Sequence, residues 1–103
     1  MATIYKAITS ATTTTLIAKD TTLLPNNNGR IKKITISNNS SNSATGICVD
    51  LYDGTNVYYL IRDTVIPSGA TLVLDDNVNF NAYEYNLRIS NAGTNPDITV
   101  IIK

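Results

Sequence analysis

The stretch ATGICVDLYDGTNVYYLIRD, residues 44–63, decides the fold. Ile47, Val49 and Leu51 alternate with Cys48, Asp50 and Tyr52. Asp53-Gly54 then turns the chain, and Val57, Tyr59 and Ile61 alternate on the way back. Period-two alternation on both sides of an Asp-Gly pair is the sequence signal of a β-hairpin. A two-residue loop at Asp53-Gly54 pairs Tyr52 with Thr55 and sets Leu51 against polar Asn56. A three-residue loop, with Gly54 left-handed in a bulge, pairs Leu51 with Thr55, Val49 with Val57 and Ile47 with Tyr59. Only the second gathers Ile47, Val49, Leu51, Val57, Tyr59 and Ile61 on one face. A one-residue slip sends a strand's whole apolar set to the other side, so the three-residue loop is the expected one. Cys48, Asp50, Tyr58, Leu60 and Arg62 then face outward.

Working outward, the flanks read as further short strands. Towards the N-terminus, Thr3–Thr9 is a strand with Ile4 and Ile8 on one face and Tyr5 and Ala7 on the other. Thr12–Lys19 is an edge strand, since four consecutive threonines are stiff at χ1 and favour extended backbone. Leu23 and Leu24 are expected to anchor the irregular 20–29 stretch, and Pro25 with Asn26-Asn27-Asn28-Gly29 to turn it. In Arg30–Asn38, Ile34 and Ile36 point inward, and Ile31 is out of phase, which predicts a bulge or a late start near Lys32-Lys33. Asn39–Ser43 is a loop.

Beyond the hairpin, Pro67-Ser68-Gly69 makes a turn into Ala70–Leu74, where Leu72 and Leu74 share a face. Asp75–Asn81 reads as a loop with Val78 and Phe80 folded inward. Tyr83–Ser90 alternates cleanly, Tyr83, Tyr85, Leu87 and Ile89 against Glu84, Asn86, Arg88 and Ser90. Asn91–Pro96 turns, and Asp97–Lys103 closes with Ile98, Val100 and Ile102 inward. About eight short strands with turn signals between them, and no helical periodicity, predict one all-β domain over residues 1–103. The expected architecture is an antiparallel β-sandwich with Greek-key or jelly-roll connections, with a closed barrel as the alternative.

Composition narrows the chemistry. The 103 residues carry eight basic and eight acidic side chains, a net charge of zero. The basic residues are scattered, so no footprint for nucleic acid or an anionic membrane is present. Thr, Asn and Ser, about a third of the chain, replace charge with neutral hydrogen-bonding groups. No apolar run reaches the roughly 20 residues of a membrane helix, and Met1–Ser10 lacks the apolar core of a signal peptide. The single cysteine, Cys48, excludes an internal disulfide and reads as a small packing residue in a strand.

There is no histidine, which removes the usual general base and every Ser-His-Asp or Cys-His arrangement. Asp53 and Asp75–Asn77 read as turn-formers that bond local amides, and no calcium-loop spacing is present. Glu84, the one glutamate, falls on the solvated face of its strand. No glycine-rich phosphate loop exists. No catalytic residue, cofactor or metal site is therefore expected, and the chain reads as a non-enzyme. Of the six tyrosines, Tyr59, Tyr83 and Tyr85 fall on apolar stripes and are expected in the core. Tyr5, Tyr52 and Tyr58 are the candidates for exposure. They make a weak case for nucleic acid and a modest one for carbohydrate. Few charges, outward apolar groups and an uncharged threonine edge suit a subunit of a larger assembly. The candidate interface residues are Cys48, Tyr58, Leu60, Thr13 and Thr15.

Taken in order, TSATTTTLIAKD (9–20), GRIKKITISNNSSNSATGICVDLYDG (29–54), IPSGATLVLDD (66–76), YEYNLRISNAG (83–93) and DITVIIK (97–103) resemble small β-sandwich virion proteins of tailed bacteriophages. In these a Thr/Ser-rich start leads to a basic-apolar strand, an Asn/Ser loop and a later turn and strand. Here the last element is Pro67, Gly69, Thr71, Leu72, Val73 and Leu74. The chain departs from the pattern in its tyrosine density at Tyr58-Tyr59 and Tyr83–Tyr85. The resemblance implies a capsid decoration (cement) protein, or a neck, tail or baseplate component. It implies a homo-oligomer, a trimer in the first instance, bound to the major capsid protein or another virion protein. Made in the host cytoplasm, such a protein resides in the virion, at the capsid surface for the decoration type. The resemblance carries no functional residue over. A carbohydrate-binding sandwich module is the reading from a different functional class.

Overall fold

The computed structural model describes residues 3–20, 29–75 and 78–103. Ten strands are present among them: β1 (Ile4–Ile8), β2 (Thr13–Ile17), β3 (Gly29–Ile31), β4 (Ile34–Asn38), β5 (Ala44–Tyr52), β6 (Val57–Ile66), β7 (Thr71–Leu74), β8 (Val78–Phe80), β9 (Asn86–Ser90) and β10 (Ile98–Ile102). Eight of them form two antiparallel four-stranded sheets, β1-β10-β4-β7 and β2-β9-β5-β6. β3 and β8 pair separately. The two sheets pack face to face, so the sandwich is the architecture and the closed barrel is not. The outermost pairs are nested, β1 with β10, β2 with β9, β4 with β7 and β5 with β6. A long antiparallel ribbon rolled in this way is a jelly roll.

The alternation of isoleucine, leucine and valine builds the core. From the first sheet come Ile8, Ile34, Ile36, Ile98, Val100 and Ile102, and from the second Leu16, Ile47, Val49, Ile66, Leu87 and Ile89. Each is buried, and each such side chain removed from water contributes about 1.5–3 kcal/mol. Leu16 and Ile17 are neighbours in sequence, and a bulge between Thr15 and Ile17 lets Leu16 join the core as well. The break expected near Lys32-Lys33 is present. β3 ends at Ile31, the amides of Lys32 and Lys33 both donate to the Lys103 carbonyl (2.8 and 3.2 Å), and β4 restarts at Ile34.

Three expectations need correction. Asp75–Asn81 is not simply a loop, because Val78–Phe80 pairs with β3 and buries Phe80. Tyr83–Tyr85 is not strand. Asn81 Oδ1 accepts the Tyr83 amide (3.0 Å), and the Asn81 carbonyl accepts the amides of Glu84 (3.2 Å) and Tyr85 (3.0 Å), a turn that delays β9 until Asn86. Neither Tyr59 nor Tyr83 is in the core. Tyr59 is exposed and Tyr83 half-buried, while Tyr85 packs against the core's rim. The roles expected of Leu23, Leu24, the 25–28 turn, Asp76 and Asn77, and the side chain of Val78, lie outside the described residues.

Two asparagines tie the loops to the sandwich. Asn38, 1% exposed, donates from Nδ2 to the carbonyls of Asn42 (2.8 Å) and Ile66 (3.0 Å), and its Oδ1 accepts the Ser40 amide (3.0 Å). Asn91 Nδ2 donates to the Ser10 carbonyl (3.1 Å), and its Oδ1 accepts the Gly93 amide (3.3 Å). The turn after β6 closes through Ala70 N to the Pro67 carbonyl (3.0 Å), with Gly69 at φ 73°. A positive φ at the third position of a turn is the reason for glycine there.

Candidate functional site: the β5–β6 hairpin and its edge

The hairpin turns in a different register from the expected one. Tyr52 pairs with Val57, Leu51 with Tyr58 and Asp50 with Tyr59, leaving a four-residue connection, Asp53–Asn56. Asp53 explains the width. Its Oδ1 accepts the amides of Thr55 (2.8 Å) and Asn56 (2.6 Å), and the Asp53 amide donates to the Asn56 carbonyl (3.3 Å). Those backbone amides, Asn56 first, hold the Asp53 carboxyl below its ordinary value. Gly54 has φ 104°, a left-handed backbone as expected, within this wider turn.

The core is nevertheless kept, because irregularities in β6 restore the phase. Val49 pairs with Ile61 and Ile47 with Thr64, so Leu60 is the extra residue of one bulge and two residues, Arg62 and Asp63, oppose Cys48 at the next. Ile47, Val49, Leu51 and Ile61 face inward as expected. Val57 and Tyr59 do not. Residues directly opposite one another share a face. Tyr59 therefore lies with Asp50 and Arg88 on the outer face, and Tyr58 with Leu51 and Leu87 on the inner side.

The consequence for β6 is a concentration of exposed apolar surface. Seven large apolar side chains are exposed among the described residues, and five are on this strand: Val57, Tyr58, Tyr59, Leu60 and Val65. β6 is also the edge of its sheet, so its outer N–H and C=O groups have no strand beside them. Bulges and charges protect an edge. Both lie in its second half, at Leu60–Asp63, whereas Val57–Tyr59 runs in unbroken register with β5.

The outer face beside it is held by Arg88 and Asp50. Arg88 Nε donates to Asp50 Oδ1 at 2.8 Å, an ion pair across two neighbouring strands. The Arg88 guanidinium also lies 3.9 Å from the Tyr52 ring centroid. Arg62 lies 5.0 Å from the Tyr59 ring centroid. Both are cation–π geometries.

The five candidate interface residues do not form one patch. Tyr58 and Leu60 are exposed on the β6 edge. Thr13 and Thr15 are exposed on β2, the opposite edge of the same sheet, three strand spacings or about 14 Å away. Cys48 is half-buried between them, its Sγ accepting the Asp63 amide at 3.4 Å beneath the second bulge. Sequence alternation missed Tyr59, Val57 and Val65. The one signal for Tyr59 was the choice between a two-residue and a three-residue turn, a one-residue slip that moves it from one face to the other.

At the tip of the hairpin an open cleft of about 480 Å³ is lined by Lys19, Asp53, Thr55, Asn56, Tyr83 and Glu84. It lies between the β5–β6 turn, the 81–85 turn and the end of β2. Tyr58 and Tyr85 meet edge to face, with ring centroids 5.9 Å apart at 76°. Partial burial pushes the Tyr85 phenol up, and nearby Tyr58, Asp53 and Glu84 add to the effect. No group of three or more metal-ligating side chains occurs among the described residues. Compared with protein-family models and with curated protein sequences, the chain gives no match.

Proposed function

We propose that this chain is a non-enzymatic structural subunit of a tailed-bacteriophage virion, in the first instance a decoration protein that stabilises the head. The observation that carries an assembly role is the β6 edge, where five of the seven exposed large apolar side chains sit on an unpaired strand. Apolar surface rich in tyrosine and poor in charge is what the buried centre of a protein interface contains. The jelly-roll topology adds support by analogy, since viral capsid domains use it repeatedly; so do lectins, and the fold alone decides nothing.

The mechanism is burial of the Val57–Leu60 edge against a neighbour. Its natural complement within this chain is the threonine edge of β2, which is uncharged over Thr13–Ile17 and ends the same sheet on the other side. A contact between two different edges is heterologous, and where the rotation between copies closes it makes a ring, of which a trimer is the smallest. A standard interface buries about 800 Å² per partner, a modest share of the 5847 Å² this chain exposes. The experiment is a solution mass measurement combined with binding to purified empty capsids, for the native chain and a Tyr58→Lys/Leu60→Lys variant. The native protein is expected to oligomerise or bind, and the variant to do neither while keeping its β-rich circular dichroism. A native monomer that ignores capsids, necks and tails alike overturns the proposal. Electron microscopy of virions then separates a head position from a neck, tail or baseplate position.

A further inference from the structure

We infer that the cleft at the hairpin tip is a binding site for a neutral saccharide. The inference uses a different surface from the assembly edge and does not depend on the virion reading.

Three features of the cleft point to this ligand class. First, its walls are set in advance. Asp53 fixes the 53–56 turn through two backbone amides, Asn81 fixes the 81–85 turn through three, and the Lys19 amide donates to Asn86 Oδ1 at 2.7 Å, pinning the end of β2. A preformed site avoids the ordering cost that weakens binding by loops.

Second, the polar groups are unspent. Lys19 and Glu84 line the same cleft, yet neither makes an ion pair among the described residues. Asp53 keeps Oδ2 nearly free, with only a 3.4 Å contact from Asn56 Nδ2. The lining thus offers carboxylate acceptors from Asp53 and Glu84, an ammonium donor from Lys19 and an amide from Asn56. Acceptors and donors interleaved in this way match hydroxyl groups, which both donate and accept. Third, half-buried Tyr83 lines the same cleft, an aromatic side chain that combines an apolar body for the C–H face of a pyranose with a polar hydroxyl.

Charge decides against the other ligands. Two carboxylates repel phosphate, sulfate and acidic sugars. Lys19 opposes a cationic ligand, and the pair Asp53 and Glu84 falls short of a metal site. The cleft is open, so the affinity expected is that of a weak, wet site.

The test is two-dimensional amide NMR of the whole protein, titrated to millimolar concentration with glucose, galactose, mannose, N-acetylglucosamine and their common disaccharides. Choline and inorganic phosphate serve as charged probes. At least one neutral sugar is expected to shift the amides of Thr55, Asn56, Tyr83 and Glu84 saturably. Tyr83→Ala is expected to weaken that binding at least tenfold, and Glu84→Gln severalfold, with the remaining spectrum unchanged. Glu84 is exposed, so its variant folds even if Tyr83→Ala does not. The inference is overturned if no neutral sugar shifts these amides, if only choline or phosphate does, or if the sugar binds the Glu84→Gln and Tyr83→Ala proteins as strongly as it binds the native one.

Discussion

Arg88 and Asp50 are joined across β9 and β5, Nε to Oδ1 at 2.8 Å, with the carboxylate almost closed off from solvent and the guanidinium roofed by Tyr52. The two ends of the pair are not equivalent. Asp50 is 3% exposed as a residue, whereas the Arg88 side chain is 21% exposed and can reach water. Arg88→Ala therefore strands a buried charge and is expected to cost about 3–5 kcal/mol in urea unfolding. Asp50→Ala should cost less, and the double variant less than Arg88→Ala alone. Equal losses for the two single variants would show that the buried carboxylate is not the expensive partner.

Asn38 predicts an ordering that runs against side-chain size. Asn38→Ala removes two donors and an acceptor, but Ser40 and Asn42 can turn to water, so a loss of about 1–3 kcal/mol is expected. Asn38→Asp keeps the shape and points a carboxylate at the carbonyls of Asn42 and Ile66. It should be the worse of the two at neutral pH. Thermal or urea melting of the two variants side by side reads this directly.

Gly46 sits in β5 at φ 61°, and a Cβ built there falls 2.9 Å from the Ala92 Cβ. Gly54 also has positive φ, but a Cβ there meets nothing within 4 Å. Alanine at either position is expected to cost about 1–2 kcal/mol for the left-handed backbone. Gly46→Ala should cost about 1–3 kcal/mol more from crowding. Comparable losses would mean that the 92 loop moves aside freely.

The Asp53 carboxyl has its folded pKa depressed below 3.8, the value of an unperturbed aspartate, by the amides it accepts. A depressed pKa means a contribution present above the unfolded value and lost as pH falls through the folded one. The Thr55 and Asn56 amide shifts should hence titrate together below pH 3.8. In Asp53→Asn that acid step should vanish. A midpoint above the unperturbed value would contradict the turn geometry.

Sequence periodicity made the sandwich legible wherever the two faces of a strand differed sharply. Ile34 and Ile36, Ile98, Val100 and Ile102, and Leu87 and Ile89 all lie where alternation places them. It failed where apolar residues are adjacent. Val57-Tyr58-Tyr59-Leu60 is apolar on both parities, so nothing in it specifies which side faces the core, and the Asp53 turn decided instead. The same applies to Tyr83–Tyr85, where alternation was present and an asparagine one turn earlier outweighed it. The cleft was illegible for a further reason. Its residues are spread from Lys19 to Glu84 and meet only because the jelly roll brings the end of β2 beside two turns.

The nesting of the strands also bears on how the protein is made. Ile4 pairs with Ile102 and Ile8 with Ile98, so the first strand has no partner until the last one exists. β10 also separates β1 from β4 in the finished sheet. On a ribosome the β5–β6 hairpin can form early, since its halves are adjacent. The first sheet cannot close until Ile98–Ile102 has emerged. Pairings this distant in sequence are slow to form, and until they do β1 has no strand beside it and the side of β4 that β10 covers is open to strangers. Completion of the last strand is thus the step that seals the first sheet between β1 and β4 and leaves the edges of the second, β2 and β6, as the surfaces the finished protein offers.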